Sequence, residues 1–173
     1  MTRRYLFAIM ALCLSFGTVN AQHSGKARFR VGATISFAMS NIADNEVGVG
    51  GLAGAEKPFS RLFSGELEAS YSYFTGDKAV YPNGDNKAWA IPILAGARLY
   101  ATDWLYGSAR AGAICFLFNH ETSTHIRPAY GLAAGMNFPR RNNLLNLQLG
   151  YTGFRFGGKS RGYATLAAAI IIN

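Results

Sequence analysis

Six charged side chains fall at alternate positions within otherwise apolar stretches: Arg28 and Arg30 in RFRVG, Glu66 and Glu68 in GELEA, then Arg98 and Arg110. Two carboxylates two residues apart on an extended chain project to the same side. One could then act as general acid and the other as general base. No nucleophile partner accompanies Glu66 and Glu68, and the chain carries no Ser-His-Asp order, glycine-rich phosphate loop, paired-Cys motif or nucleotide fingerprint. Four guanidiniums sharing a parity with two carboxylates point instead to mutual neutralisation, because an unpaired buried charge is very costly. Arg28, Arg30, Glu66, Glu68, Arg98 and Arg110 are therefore expected to form an interior charge network, with no catalytic residue and no enzymatic activity.

A second grouping lies in NHETSTHIR, where His120, Glu121 and His125 give H-E-x-x-x-H. That spacing is one residue longer than the helical H-E-x-x-H of zinc proteases. His120 and His125 are the two side chains that would grip a metal if the loop bound one. Ordinary loop polarity accounts for them, so no metal and no cofactor are expected.

The elements that must position these residues are strands. Residues 87–118 hold two apolar-rich runs meeting at Ala101-Thr102-Asp103, the pattern of a β-hairpin. In the first run Trp89, Ile91, Ile93, Ala95, Ala97 and Leu99 share one parity; in the second, Leu105, Ala109, Ala111, Ala113, Cys115 and Leu117 do. Alternation this long exceeds the ordinary strand of about 5–6 residues. It matches the roughly 9–11 residues with which a tilted strand crosses a bilayer. The same period organises 26–40, 47–56, 63–75, 128–138, 144–156 and 162–173, giving eight strands in all. The connections at 41–46, 76–87, 119–127 and 157–161 are long and polar, and the intervening turns are short, as in outer-membrane barrels. Tyr71, Tyr73, Trp89, Trp104, Tyr130, Tyr151 and Tyr163 lie near strand ends and are expected to form aromatic girdles.

Composition agrees. Half of the 173 residues are hydrophobic while only 15% are charged, against about 25% in a typical soluble domain. The N-terminus reads as a secretory signal peptide: basic Arg3-Arg4, an apolar core at 6–16, and Val19-Asn20-Ala21 as the cleavage site after Ala21. Residues 1–21 are thus the signal peptide and 22–173 one barrel domain. A single cysteine, Cys115, remains beyond the signal peptide, so no internal disulfide is expected. Fifteen Lys and Arg against nine Asp and Glu leave +6 after removal of Arg3 and Arg4. For an exported barrel the acidic neighbours are phosphate-rich lipid headgroups rather than nucleic acid.

The runs Ile91-Pro92-Ile93-Leu94, Leu99-Tyr100 and Leu105-Tyr106, with Gly65 to Tyr73 before them and Leu147-Gln148-Leu149-Gly150-Tyr151 after, carry a resemblance. Together they resemble the small outer-membrane β-barrel family of Bacteroidetes called PorT-like, over most of the mature chain. The resemblance implies an integral outer-membrane barrel and no particular activity. The terminal Ile170-Ile171-Ile172-Asn173 departs from the final aromatic residue usual in such barrels.

The expected fold is therefore all-β: an eight-stranded antiparallel up-and-down transmembrane β-barrel following a cleaved signal peptide, in the bacterial outer membrane. Its expected partners are outer-membrane lipid and, during insertion, the barrel-assembly machinery. Its expected role is structural or loop-mediated binding, with a salt-bridge-plugged interior. Two alternatives stand beside it. One is a narrow channel or a transport or secretion component. The other is a soluble periplasmic lipocalin-like barrel with the apolar parity turned inward, since parity alone does not say which face is inside.

Overall fold

The computed structural model describes residues 25–42, 45–76, 87–118, 125–140, 143–156 and 158–172. The segment 1–21 expected to be a signal peptide, with its cleavage residue Ala21, and also His120 and Glu121, lie outside them. Eight strands follow in chain order: β1 (Arg28–Ile42), β2 (Asn45–Pro58), β3 (Phe63–Gly76), β4 (Lys87–Tyr100), β5 (Leu105–Phe118), β6 (His125–Arg140), β7 (Asn143–Phe156) and β8 (Lys159–Ile172). Each pairs antiparallel with its sequence neighbour, and β1 closes on β8 to complete the barrel. Closure leaves no edge strand, the condition for a sheet to sit in lipid.

The pleat sorts the side chains as the alternation requires. Ile93, Leu132, Leu149 and Val49 point outward and are more than half exposed. Arg30, Glu66, Arg98 and Arg110 point inward and are buried. This is the reverse of a lipocalin interior, so the soluble alternative does not fit the structure. Tyr163 differs from expectation: it faces the lumen, 1% exposed, and packs edge-on against Phe74. Its neighbours on β8 alternate about a parity that the Gly- and Ala-rich sequence barely marks.

Strands run further than the sequence suggested, and two expected loops shrink. Only residues 43–44 separate β1 from β2, and only 157–158 separate β7 from β8. Residues expected in the connection still pair: Lys159 lies opposite Phe156 and Ser160 opposite Arg155. The long connections are 77–86 and 119–124. At the opposite end, the turns at 59–62 and 101–104 are fastened by hydroxyl groups. The Ser60 Oγ accepts from the Phe63 N–H at 3.1 Å, and the Thr102 Oγ1 accepts from the Leu105 N–H at 2.9 Å.

Pro58 and Pro139 lie at strand ends, while Pro92 and Pro128 sit further inside their strands. Pro92 donates nothing to a ladder, and the β3–β4 pairing skips there while keeping register, with Ala69 opposite Ile93 and Ser72 opposite Ala90. Pro128 lies in β6 opposite Ala113, and the β6–β7 ladder stops one residue short of it, at Ala129 opposite Phe154. Gly96 and Gly112 flank Arg110 in the wall. A Cβ on either would collide with a carbonyl of the adjacent strand, so glycine permits the close backbone approach that curves the barrel.

Candidate functional site

The lumen is filled in two storeys. Toward the end carrying the short turns, three arginines meet three glutamates. Glu66 on β3 is the hub. Its Oε2 accepts from Arg30 at 3.0 Å and from Arg98 at 2.8 Å, while the Arg110 Nε lies 3.7 Å from its Oε1. Glu68, one pleat along, holds Arg30 at 2.5 Å and also pairs with Arg110. Glu56 on β2 takes the second nitrogen of Arg98 at 2.9 Å, the Ser64 hydroxyl at 2.8 Å and the Tyr100 hydroxyl at 2.6 Å. Arg98 is wholly buried and lies 3.8 Å over the Tyr106 ring. Such stacking suits a guanidinium, which is planar and weakly hydrated.

Amides and phenols extend the network across the barrel. The Gln148 Oε1 accepts from Arg30 and from the Tyr106 hydroxyl, each at 3.0 Å. Asn146 donates to that same hydroxyl at 2.8 Å and to the Asn137 Oδ1 at 2.7 Å. Three positive and three negative groups make the storey formally neutral. Each buried charge has its opposite in direct contact, which is the condition under which burial is tolerated.

Toward the end carrying the long connections, the interior is apolar. Phe74, Ala88, Ala90, Leu94, Ile114, Phe116, Ala129, Phe154 and Tyr163 form one buried cluster, with Phe116 and Phe154 ring centroids 4.5 Å apart. Eight-stranded barrels are just wide enough for side chains to fill. Here they fill it from one end with charge and from the other with aromatic rings.

Of the residues singled out in the sequence, Arg30, Glu66, Glu68, Arg98 and Arg110 come together. Arg28 does not. It lies directly opposite Glu56 in the β1–β2 ladder, yet that carboxylate is held by Arg98. Arg28 sits half-buried at the open mouth, in a recess shared with Asp103, Trp104 and Asn137. Water reaches it there, so no ion pair is required. Glu56 is the member that sequence reasoning missed. Its even-numbered position places it on the face of Gly48 and Gly54, but Lys57-Pro58 made the strand look finished. The aromatic storey was missed too, although Phe74 continues the parity of Glu66, Glu68 and Ser72.

His125 opens β6 opposite Phe116 and is half-buried. Among the described residues, no group of His, Cys, Asp and Glu is placed to hold a metal ion. Cys115 lies on the outward parity of β5, partly exposed. Glu66 and Glu68 are each clamped between guanidiniums.

A closed antiparallel eight-stranded barrel with an apolar outer face and a charged, filled interior is the architecture of the small outer-membrane β-barrels. No protein-family model matches the chain, and no curated protein matches it. Solved structures do. Neisserial surface protein A (NspA) shares 15% identity, covering 87% of this chain and 99% of that one, with a TM-score of 0.62. Ail, the attachment invasion locus protein of Yersinia pestis, shares 12% over 84% of this chain and 97% of its own, at 0.55. The N-terminal β-barrel domain of Pseudomonas aeruginosa OprF shares 12% over 87% and 100%, also at 0.55. At these identities the likeness is one of fold.

Proposed function

We propose that the chain is an integral protein of the bacterial outer membrane, a plugged barrel that does not conduct. Its role would be structural or binding rather than enzymatic, exercised at the end carrying the 77–86 and 119–124 connections, which would face outward. The observation that supports this reading is the double filling of the lumen: a path for solute would have to break both the Glu66 hub and the Phe116–Phe154 ring contact. The test is conductance in planar bilayers, expected to stay at the lipid baseline. Steady, reproducible channel steps would instead favour the transport alternative. Retention in carbonate-washed outer membranes, with mobility that changes on boiling, checks the membrane placement.

Three finer elements belong to the same proposal. Residues 1–21 act as a signal peptide cut after Ala21, leaving 22–173 as the barrel domain; intact mass of the membrane-extracted protein should start at Gln22. Insertion proceeds through the barrel-assembly machinery, so depleting that machinery should remove the heat-modifiable form. The narrower kinship with the PorT-like barrels rests on the short runs around Ile91 and Gly65. It predicts that a family member would turn the counterparts of Glu66, Glu68 and Arg98 into its lumen.

A further inference from the structure

The outer wall over β6, β7 and β8 differs from the rest of the barrel. The β6–β7 ladder ends at Ala129 opposite Phe154, and beside Pro128 and Arg155 lies a recess of about 440 Å³. Tyr130, Gly158 and Ser160 also line it. Arg155 and Ser160 are outward, exposed and directly opposite one another across the β7–β8 ladder. Arg155 makes no ion pair with any described residue. Lys159 and Arg161 belong to the same hairpin but alternate with Ser160, on the parity of the lumen-facing Tyr163. Of the five acidic residues at this end of the barrel, Asp44, Glu46, Asp77 and Asp85 belong to the β1–β2 and β3–β4 connections or their borders, and Glu121 to the β5–β6 connection. Gly158 has φ 75°, a conformation open to glycine that turns the backbone sharply at the rim.

Further down the same face the wall is hollowed. A trough of about 540 Å³ is floored by Ala33, Ala134 and Ala168 and walled by longer side chains such as Leu149 and Leu166. Leu166 lies six residues along β8 from Ser160, hence about 20 Å along the strand. With the usual barrel tilt that is roughly 15 Å of depth, about half of a 30 Å hydrocarbon core. Between recess and trough the Tyr130 ring lies over Gly153 and the Tyr151 ring over Gly162, so small residues let the aromatics lie flat against the wall.

We propose that this face is a site for a phosphorylated lipid. The phosphate is received by the Arg155 guanidinium and the Ser160 hydroxyl. One acyl chain passes over the tyrosines into the alanine-floored trough. Cation above, aromatics at the interface and a chain-sized hollow below, on one face, are what such a lipid requires. The site rests on the membrane placement proposed above.

The test uses the protein purified from membranes in detergent, with native mass spectrometry. Dioleoyl phosphatidic acid is compared with dioleoyl phosphatidylcholine, which has the same chains. The wild type should retain one phosphatidic acid in preference to phosphatidylcholine. Arg155→Gln should weaken phosphatidic acid about tenfold and leave phosphatidylcholine unchanged, a charge-assisted hydrogen bond being at stake. Ala168→Phe, which fills the trough, should weaken both, and Arg61→Gln at the opposite end should change neither. Equal retention of the two lipids, or indifference to Arg155→Gln, would reduce the face to ordinary lipid contact and overturn the site. Displacement by millimolar inorganic phosphate, with Ala168→Phe silent, would leave a bare anion site and overturn the lipid. A dimer that occludes the trough would make a second copy the occupant and overturn it too. A protein recovered only in soluble fractions would sink the membrane placement itself, a different failure from these.

Discussion

Replacing Glu66 with glutamine tests the polar storey at its hub. The substitution is nearly isosteric, so it opens no cavity; it removes one negative charge from three and leaves three guanidiniums facing two carboxylates. Two charge-assisted hydrogen bonds, from Arg30 at 3.0 Å and Arg98 at 2.8 Å, lose their ionic partner. At about 1.5–3 kcal/mol each the loss is about 3–6 kcal/mol, and breaking a buried pair costs about 3–5 kcal/mol in general. We expect about 4 kcal/mol. With a urea m-value of roughly 2 kcal/mol per molar, the unfolding midpoint in detergent micelles should fall by about 2 M. Fluorescence of Trp89 and Trp104, together with heat-modifiable mobility, reports it. Adding Arg98→Gln to the same chain restores neutrality, so the double variant should be more stable than the sum of the two single losses by about 1–3 kcal/mol. A midpoint shift below about 0.25 M, or strict additivity, would refute the claim that this network closes the barrel by paired charge.

Three other outcomes follow from the same coordinates. Ile93, midway along β4 and 55% exposed, should cost about 2–4 kcal/mol in lipid vesicles when changed to Arg; an unchanged unfolding midpoint would mean that this wall does not meet lipid. Gly96→Ala places a methyl on the Ala109 carbonyl and should destabilise by about 1–3 kcal/mol or more, read as refolding yield and midpoint; wild-type behaviour would show that the strands can part there. Phe116→Ala removes the ring packed at a tilt against Phe154 and should cost about 3–5 kcal/mol. It should nevertheless stay electrically silent, because the polar storey remains, and a conducting Phe116→Ala barrel would contradict the two-storey closure.

What could be read from the sequence was whatever the pleat enforces. A strand with lipid outside and packed side chains inside must alternate, so Leu99 against Arg98 and Leu67 against Glu66 and Glu68 were visible as parity. The lipid choice between inside and outside followed from low charge content and strand length. What stayed hidden is where period two carries no contrast. Around Tyr163 both faces of β8 are small or apolar, so a lumen-facing tyrosine looked like a girdle residue. At Glu56 and Arg28 the difficulty was the strand end. The two lie opposite each other with matching parity, and only three dimensions show that Arg98 reaches Glu56 first while Arg28 stays at the wet mouth. The aromatic storey was hidden for a related reason: Phe74, Phe116 and Phe154 sit next to polar connections, where an apolar residue on the polar parity resembles noise.

The neutral interior also changes how the basic composition is to be understood. Three arginines cancel three glutamates inside, so the whole excess of positive charge lies at the two rims. By chain position, the end carrying the short turns has Lys26, Arg28, Lys57, Arg61, Arg140 and Arg141 against Asp103 alone. The other end has Lys78, Lys87, Arg127, Arg155, Lys159 and Arg161 against Asp44, Glu46, Asp77, Asp85 and Glu121. Counted by connection, the long-connection end has four acidic residues and two lysines from β1 to β4, and one acidic residue against four cations from 119 to 161. A general polyanion would be attracted along the barrel axis to the short-turn end, and screened within about 10 Å at ordinary salt. A ligand at the long-connection end gains from the cations after residue 119 only if it can stay on the β6–β8 side. A lipid held by its chain in the alanine-floored trough is confined to that side, whereas a freely diffusing anion is not.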